Sequence, residues 1–256
     1  MLKLHLFGAT LEGVDDRARP GFEGYSIGRG GLTGWWGRPA GVGGGSRRPG
    51  AHGEFDTPLY LPGRVVTVAG QVRQRDSRSR ALAADRLAGL GADGERGRVV
   101  VEEDGFSTWA WCRVLSADVE RFTSGHHPEY DLMLRCADPR RYGERRSEPT
   151  TSNVGKVMVN RGNFPASPRF RIAGPQPGGY QIWGADELPY TVGAVPANST
   201  DVVDFATGLV TRDGVVLTGA VVTPRTWTVP AGGTKEWGVT LTGSGSAAGE
   251  ITDTYV

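Results

Sequence analysis

The sequence predicts a mostly β protein: a first domain of strands with one helix, followed by a second, all-β domain. Three observations predict it. Apolar and polar residues alternate in many short runs, the period of a half-buried strand. The 40 glycines and 16 prolines are spread along 256 residues without a three-residue repeat, breaking those runs with turns. A single stretch, near residues 78–90, has helical spacing.

Leu2, Leu4 and Leu6 alternate with Lys3 and His5 as an opening strand. In TGWWGRP (33–39) the adjacent Trp35 and Trp36 face opposite ways on a strand, so one enters the core and the other needs a second surface. Residues 37–53, rich in Gly, Arg and Pro, read as a long loop. RVVTVAGQ (64–71) is a strand. Asp76 or Ser77 then caps the helix, which puts Leu82, Ala83, Leu87 and Leu90 on one face and ends at Gly89 and Gly91. Strands are expected at 98–102, 109–115, 119–122 and 130–137. The domains are placed at 1–150 and 165–256, with 151–164 as a linker in a polar, turn-rich region holding a short strand at Lys156–Val159. The second domain alternates cleanly and reads as an antiparallel β-sandwich of about ninety residues. Asp213-Gly214 supplies a tight hairpin turn, and 226–229 and 238–242 add strands.

Composition narrows the function. The chain is 38% hydrophobic, enough for a core, and its net charge of +1 creates no global field. Residues 1–164 carry net +4 and 165–256 net −3, too small a split to name a partner. Only Lys3, Lys156 and Lys235 are lysines among 29 cations. Cys112 and Cys136 make neither a disulfide framework nor a zinc set, and both read as buried thiols. Residues 1–11 lack the apolar core of a signal peptide, and no run approaches the ~20 apolar residues of a membrane helix. A soluble chain made in the cytoplasm, without a membrane partner, is expected.

The motifs of catalysis are missing. There is no Gly-x-Ser-x-Gly elbow and no His-Glu-x-x-His, and Gly155-Lys156 lacks the rest of a phosphate loop. His126-His127 read as a solvated turn. His52, Glu54 and Asp56 alternate and could present ligands on one face, but a structural role fits better. Glu102-Glu103-Asp104 read as a hairpin tip before Gly105, and Asp15-Asp16 as a turn. Arg73, Arg75, Arg78, Arg80 and Arg86 read as a solvated face or ion pairs rather than a DNA or phosphate site. No catalytic residue, cofactor or metal is expected, and no sequence-specific nucleic-acid binding. In the second domain Tyr180, Trp183, Trp227 and Trp237 could stack on sugars, against the commoner reading that such rings are core.

Several pieces occur in a characteristic order: Gly24-Tyr25-Ser26-Ile27, Gly31-Leu32-Thr33-Gly34-Trp35-Trp36, His52-Gly53-Glu54-Phe55-Asp56-Thr57-Pro58, Arg64-Val65-Val66-Thr67-Val68-Ala69-Gly70, the helix, Ala137-Asp138-Pro139-Arg140-Arg141-Tyr142-Gly143, and Asn160-Arg161-Gly162-Asn163-Phe164-Pro165. This series resembles the distal tail proteins of siphophages (the Dit or phage tail family, often called minor tail proteins) over nearly the whole chain. The resemblance implies an N-terminal belt domain that assembles six-fold, and a C-terminal sandwich like a galectin or carbohydrate module. It implies a virion protein of a long non-contractile tail, a baseplate hub that joins the tail tube protein to the tip hub or tail-associated protein and lets DNA pass through the ring. The tape measure protein and receptor-binding proteins are further partners it implies. Trp35, Trp36, Arg38, His52 and Asp56 are the expected inter-subunit contacts. The loop between Trp36 and His52 departs from the family pattern in its Gly and Arg content. The alternative function is host-envelope glycan binding by the C-terminal sandwich.

Overall fold

The computed structural model describes residues 1–13, 21–120 and 127–256, and divides into two compact units, Met1–Arg141 with Val256, and Tyr142–Tyr255. The expected boundary lay further on; residues 142–164 instead belong to the second unit.

In the first unit the strands are β1 (Leu2–Leu6), β2 (Ala9–Gly13), β3 (Gly24–Thr33), β4 (Ser46–Arg47), β5 (Glu54–Phe55), β6 (Arg64–Arg73), β7 (Gly97–Glu103), β8 (Phe106–Glu120) and β9 (Glu129–Cys136). Seven of them run in the order β8-β7-β1-β2-β3-β6-β9, and β9 pairs back onto β8. The sheet is therefore a closed barrel, which leaves none of the seven as a free edge. All its pairings are antiparallel except β2 with β3. Alternation sets what fills it: on β9, Tyr130, Leu132, Leu134 and Cys136 are buried, while Asp131, Met133 and Arg135 are exposed. Cys112 and Cys136 are both buried, next to the Arg113–Arg135 register pair on neighbouring strands. Burial pushes the Cys112 thiol up to about 12 and the Cys136 thiol to about 11, so both stay protonated. The expected strands at 109–115 and 119–122 are one element, β8; residues 121 and 122, with Asp15, Asp16 and His126, lie outside the described residues.

The helix, α1 (Ser77–Ala88), is capped by Asp76, whose carboxylate accepts the Ser79 N–H at 2.8 Å, and stops at Gly89. It packs on β6 and β8 through Ala83, Ala84 and Leu87. Leu82 was expected on that face but is 51% exposed. The buried stripe is rotated onto two alanines, whose small side chains admit the helix close to the strands.

The second unit has two antiparallel sheets. One orders β10 (Arg141–Thr150), β12 (Arg169–Ala173), β15 (Thr200–Asp204), β16 (Leu209–Arg212), β17 (Val215–Val216) and β20 (Ala247–Tyr255) as β17-β16-β15-β12-β20-β10. The other orders β11 (Lys156–Val159), β13 (Tyr180–Gly184), β14 (Tyr190–Val192), β18 (Val221–Thr223) and β19 (Thr234–Leu241) as β11-β19-β13-β14-β18. Both sheets contribute to one core, in which Phe170, Phe205, Trp227 and Trp237 have ring centroids 4.9–5.8 Å apart. The Asp213-Gly214 turn forms as expected, with φ of 49° and 88°. Residues 226–229 are not a strand; Val229 makes a single bridge to Ala166.

β10 (RYGERRSEPT) has no apolar alternation. Charged pairs take the place of apolar ones: Arg145 bonds Glu250, and Arg146 grips Asp253 at 2.6 and 2.8 Å, both acceptors lying on the adjacent β20. Burial alone would raise the Asp253 carboxyl, but bonds from Arg146 and from the Arg161 N–H outweigh it and hold the pKa below the ordinary value of 3.8. A depressed carboxylate contributes stability that is complete above its unfolded pKa and lost as pH falls through the folded one. The second unit should therefore lose stability below pH 3.8, and Asp253→Asn should flatten that acid limb of its melting temperature. An unchanged acid limb in the variant counts against the pair.

Candidate assembly surface

Between β3 and β6 the chain leaves the barrel and returns as a hairpin arm. Val42 and Tyr60 exchange both backbone hydrogen bonds, at 2.7 and 2.9 Å. Thr57 Oγ1 donates to the Gly44 carbonyl at 2.8 Å, and β4 pairs with β5 through Ser46–Phe55 and Arg47–Glu54. Every residue from 40 to 60 is exposed. Val42 (59%), Phe55 (52%), Leu59 (65%) and Tyr60 (73%) thus present apolar side chains to solvent on a hairpin with no core of its own. A lone two-stranded hairpin is marginal in water without apolar burial. Arg48 stacks over the Phe55 ring at 5.3 Å, adding a cationic cover to one apolar site.

The root of the arm is fixed by Arg64, which is 1% exposed. Its Nη1 donates to the carbonyls of Gly34, Trp35 and Gly37 at 2.6, 2.6 and 2.7 Å, and its Nε to Pro139 at 3.1 Å. One guanidinium thereby ties the outgoing leg of the arm to the first residue of β6. Burial lowers its pKa from the usual arginine value, the nearby Cys136 acting the other way. The sequence reading took Arg64 for a strand end. The signal that marks it is phase: Arg64 shares the inward phase of Val66 and Val68.

The residues expected in subunit contacts divide. Trp36 is 45% exposed, and Arg38, His52 and Asp56 are exposed as well, the last two on the arm. Trp35 is fully buried, its Nε1 donating to Thr108 Oγ1 at 3.3 Å with the Arg141 guanidinium 5.8 Å from the ring. It belongs to the core of the barrel at the arm's root. One tryptophan is buried and the other exposed, as expected, but both lie past the end of β3 at Thr33 rather than on a strand. Val42, Leu59 and Tyr60 are further exposed apolar side chains of the arm that the sequence does not mark, because they sit in a turn-rich stretch with no regular period.

The expected sugar-stacking set needs correction. Tyr180, Trp227 and Trp237 are 2%, 5% and 0% exposed and belong to the core. Tyr180 donates to Asp201, a fully buried carboxylate that also accepts two bonds from Arg212. Trp183 alone of the four reaches the surface. In the first unit, a cleft beside the register shift of β3 against β6, between Ile27 and Leu32, is lined in part by Gln71, Arg73 and Glu129. Arg73 donates to Gln71, and Gln71 to Glu129, at 3.1 and 3.3 Å.

The first unit is a barrel with a long exposed arm, and the second is built of two sheets. Such a fold is already known. Over 100% of both chains the structure superposes on the SPP1 Dit protein, titled a paradigm of the hub adsorption apparatus in phages that infect Gram-positive bacteria, with a TM-score of 0.71 at 14% identity. The chain has the fold of that phage hub protein. More distant matches come from baseplates in the activated conformation. A phage P2 baseplate structure with Ca gives a TM-score of 0.44 at 8% identity over 84% of this chain and 86% of that one. One of phage p2 with Sr gives 0.47 at 7% over 97% of each. No family model and no curated protein matches the sequence.

Proposed function

We propose that this chain is a structural protein of a phage tail tip, a hexameric hub ring placed between the tail tube and the tip or baseplate, with DNA passing through its centre. Its work is assembly rather than catalysis. Its partners are other copies of itself, the tail tube protein and the tip hub or tail-associated protein, with the tape measure and receptor-binding proteins as further contacts. The observation that carries the reading is the exposed arm, on a chain whose whole length shares its fold with a hub protein. Closed rings need heterologous contacts, in which one patch meets a different patch on the next copy. An arm reaching from one barrel to another is such a contact. Trp36, Arg38, His52 and Asp56 lie on it or at its root and belong to the same interface.

Light scattering of the purified chain, with negative-stain images, tests this. Particles of six copies with an open centre are expected, alone or on mixing with the tail tube protein. A chain that stays monomeric under both conditions and is absent from purified tails overturns the proposal.

A further inference from the structure

We propose that the outer face of the five-stranded sheet in the second unit is a glycan-binding platform, with the Trp183 indole as the surface on which a pyranose ring stacks. This does not depend on the tail-tip reading, since it concerns one unit of a single chain.

The geometry begins with two glycines. Trp183 on β13 pairs with Gly238 on β19. A Cβ built on Gly238 would lie 2.1 Å from Trp183 Cζ2 and 2.6 Å from both atoms flanking it, Cε2 and Cη2. Equal distances that short put the glycine under the face of the ring rather than at its edge. A Cβ on Gly155, just before the adjacent β11, would lie 3.7 Å from Cη2. The indole therefore lies flat on the sheet, across strand positions left bare by glycine, with its other face turned outward. The other tryptophans of this unit also rest on glycines, Trp227 on Gly184 and Trp237 on Gly249, but inside the core. Only at Trp183 is the arrangement placed outside.

The flanks are polar. Gln181 shares the outward phase of Trp183 and pairs with Thr240 on one side and Thr191 on the other. The three form a row of amide and hydroxyl groups across adjacent strands, two residues or ~6.8 Å along the strand from the indole. Thr240 donates to Asn153, extending the row. On the opposite flank Glu236, two residues from Gly238 and exposed, reaches towards Gly155: its Oε1 lies 2.7 Å from the position of a Cβ there.

This suits a sugar. A pyranose has an apolar face of C–H groups, which meets the negative face of an indole, and a rim of hydroxyls, which needs alternating donors and acceptors. A flat ring between a Thr/Gln row and a carboxylate offers both at the width of one sugar. Val157, the register partner of Glu236 on the adjacent β11, is exposed and adds apolar surface beside the ring, while the Glu236 carboxylate disfavours phosphate.

The test uses the full chain on an array of immobilised pyranose oligosaccharides covering neutral hexoses and N-acetylhexosamines, with retained glycans titrated by calorimetry. At least one glycan class should be retained. Trp183→Ala should weaken it tenfold or more, Trp183→Phe less because a flat ring remains, and Gln181→Ala by a few-fold, all with the parent's melting temperature. No retention of any array glycan by the parent chain, or equal affinity in Trp183→Ala, overturns the proposal. Should Trp183→Ala melt early, the graded pair Trp183→Phe and Gln181→Ala decides in the same way. Ring assembly is read separately, so either idea can fail without the other.

Discussion

Replacing Arg64 by alanine should lower the melting temperature of the first unit by roughly 10 °C, at about 2–4 °C per kcal/mol for a unit of this size. The side chain is almost fully enclosed and its fork serves four backbone carbonyls. Removing it strands those acceptors in a space that water fills poorly, and breaking such a buried charged arrangement costs about 3–5 kcal/mol. Arg64→Lys should recover only part of the loss. An ammonium keeps the charge but cannot spread donors over carbonyls on both sides, as a planar guanidinium does. Calorimetric melts of the three chains decide this. An alanine variant melting with the parent would mean that the clamp is geometrically neat but energetically idle. The same variant should also loosen the arm, because Gly34, Trp35 and Gly37 are its outgoing leg.

Much of the fold was legible because its elements are local. β1, β6, β7, β9 and the Asp213-Gly214 hairpin all show alternation or turn chemistry within a few residues, and Asp76 marks the helix start. What lay hidden was non-local. Closure of the barrel depends on β9 finding β8 along a register that no short window encodes, and on a parallel pairing of β2 with β3. β10 was hidden differently. Its neighbours satisfy it by charge, so it reads as a polar linker until Glu250 and Asp253 are brought alongside. The candidate sites show the same division. A tryptophan on an alternating strand is inward or outward according to phase, and Tyr180, Trp183, Trp227 and Trp237 could not be sorted before strand positions were known. Gly238 was the nearest thing to a sequence signal for Trp183, and it became meaningful only once the two were paired.

Excising the arm should abolish self-assembly while leaving the fold intact. Val42 and Tyr60 already sit opposite each other, so a two-residue Asn-Gly turn can replace residues 43–59 and close the hairpin at its root. Because residues 40–60 are all exposed, the shortened chain gives up no core; its stability should stay within about 1 kcal/mol of the parent's, as for surface changes generally. Assembly should respond quite differently. Burying side chains of the size of Phe55 and Leu59 against a neighbour gains about 1.5–3 kcal/mol each, and the two alone correspond to a hundredfold or more in association at each interface. In a closed ring the loss recurs at every junction, so the excised chain should remain monomeric at concentrations where the parent forms particles. Leu59→Ser with Tyr60→Ser should give an intermediate shift without altering the backbone. Sedimentation across a concentration series reads all three. If the excised chain assembles like the parent, the arm is not the joint, and the ring would have to close through the barrel wall instead.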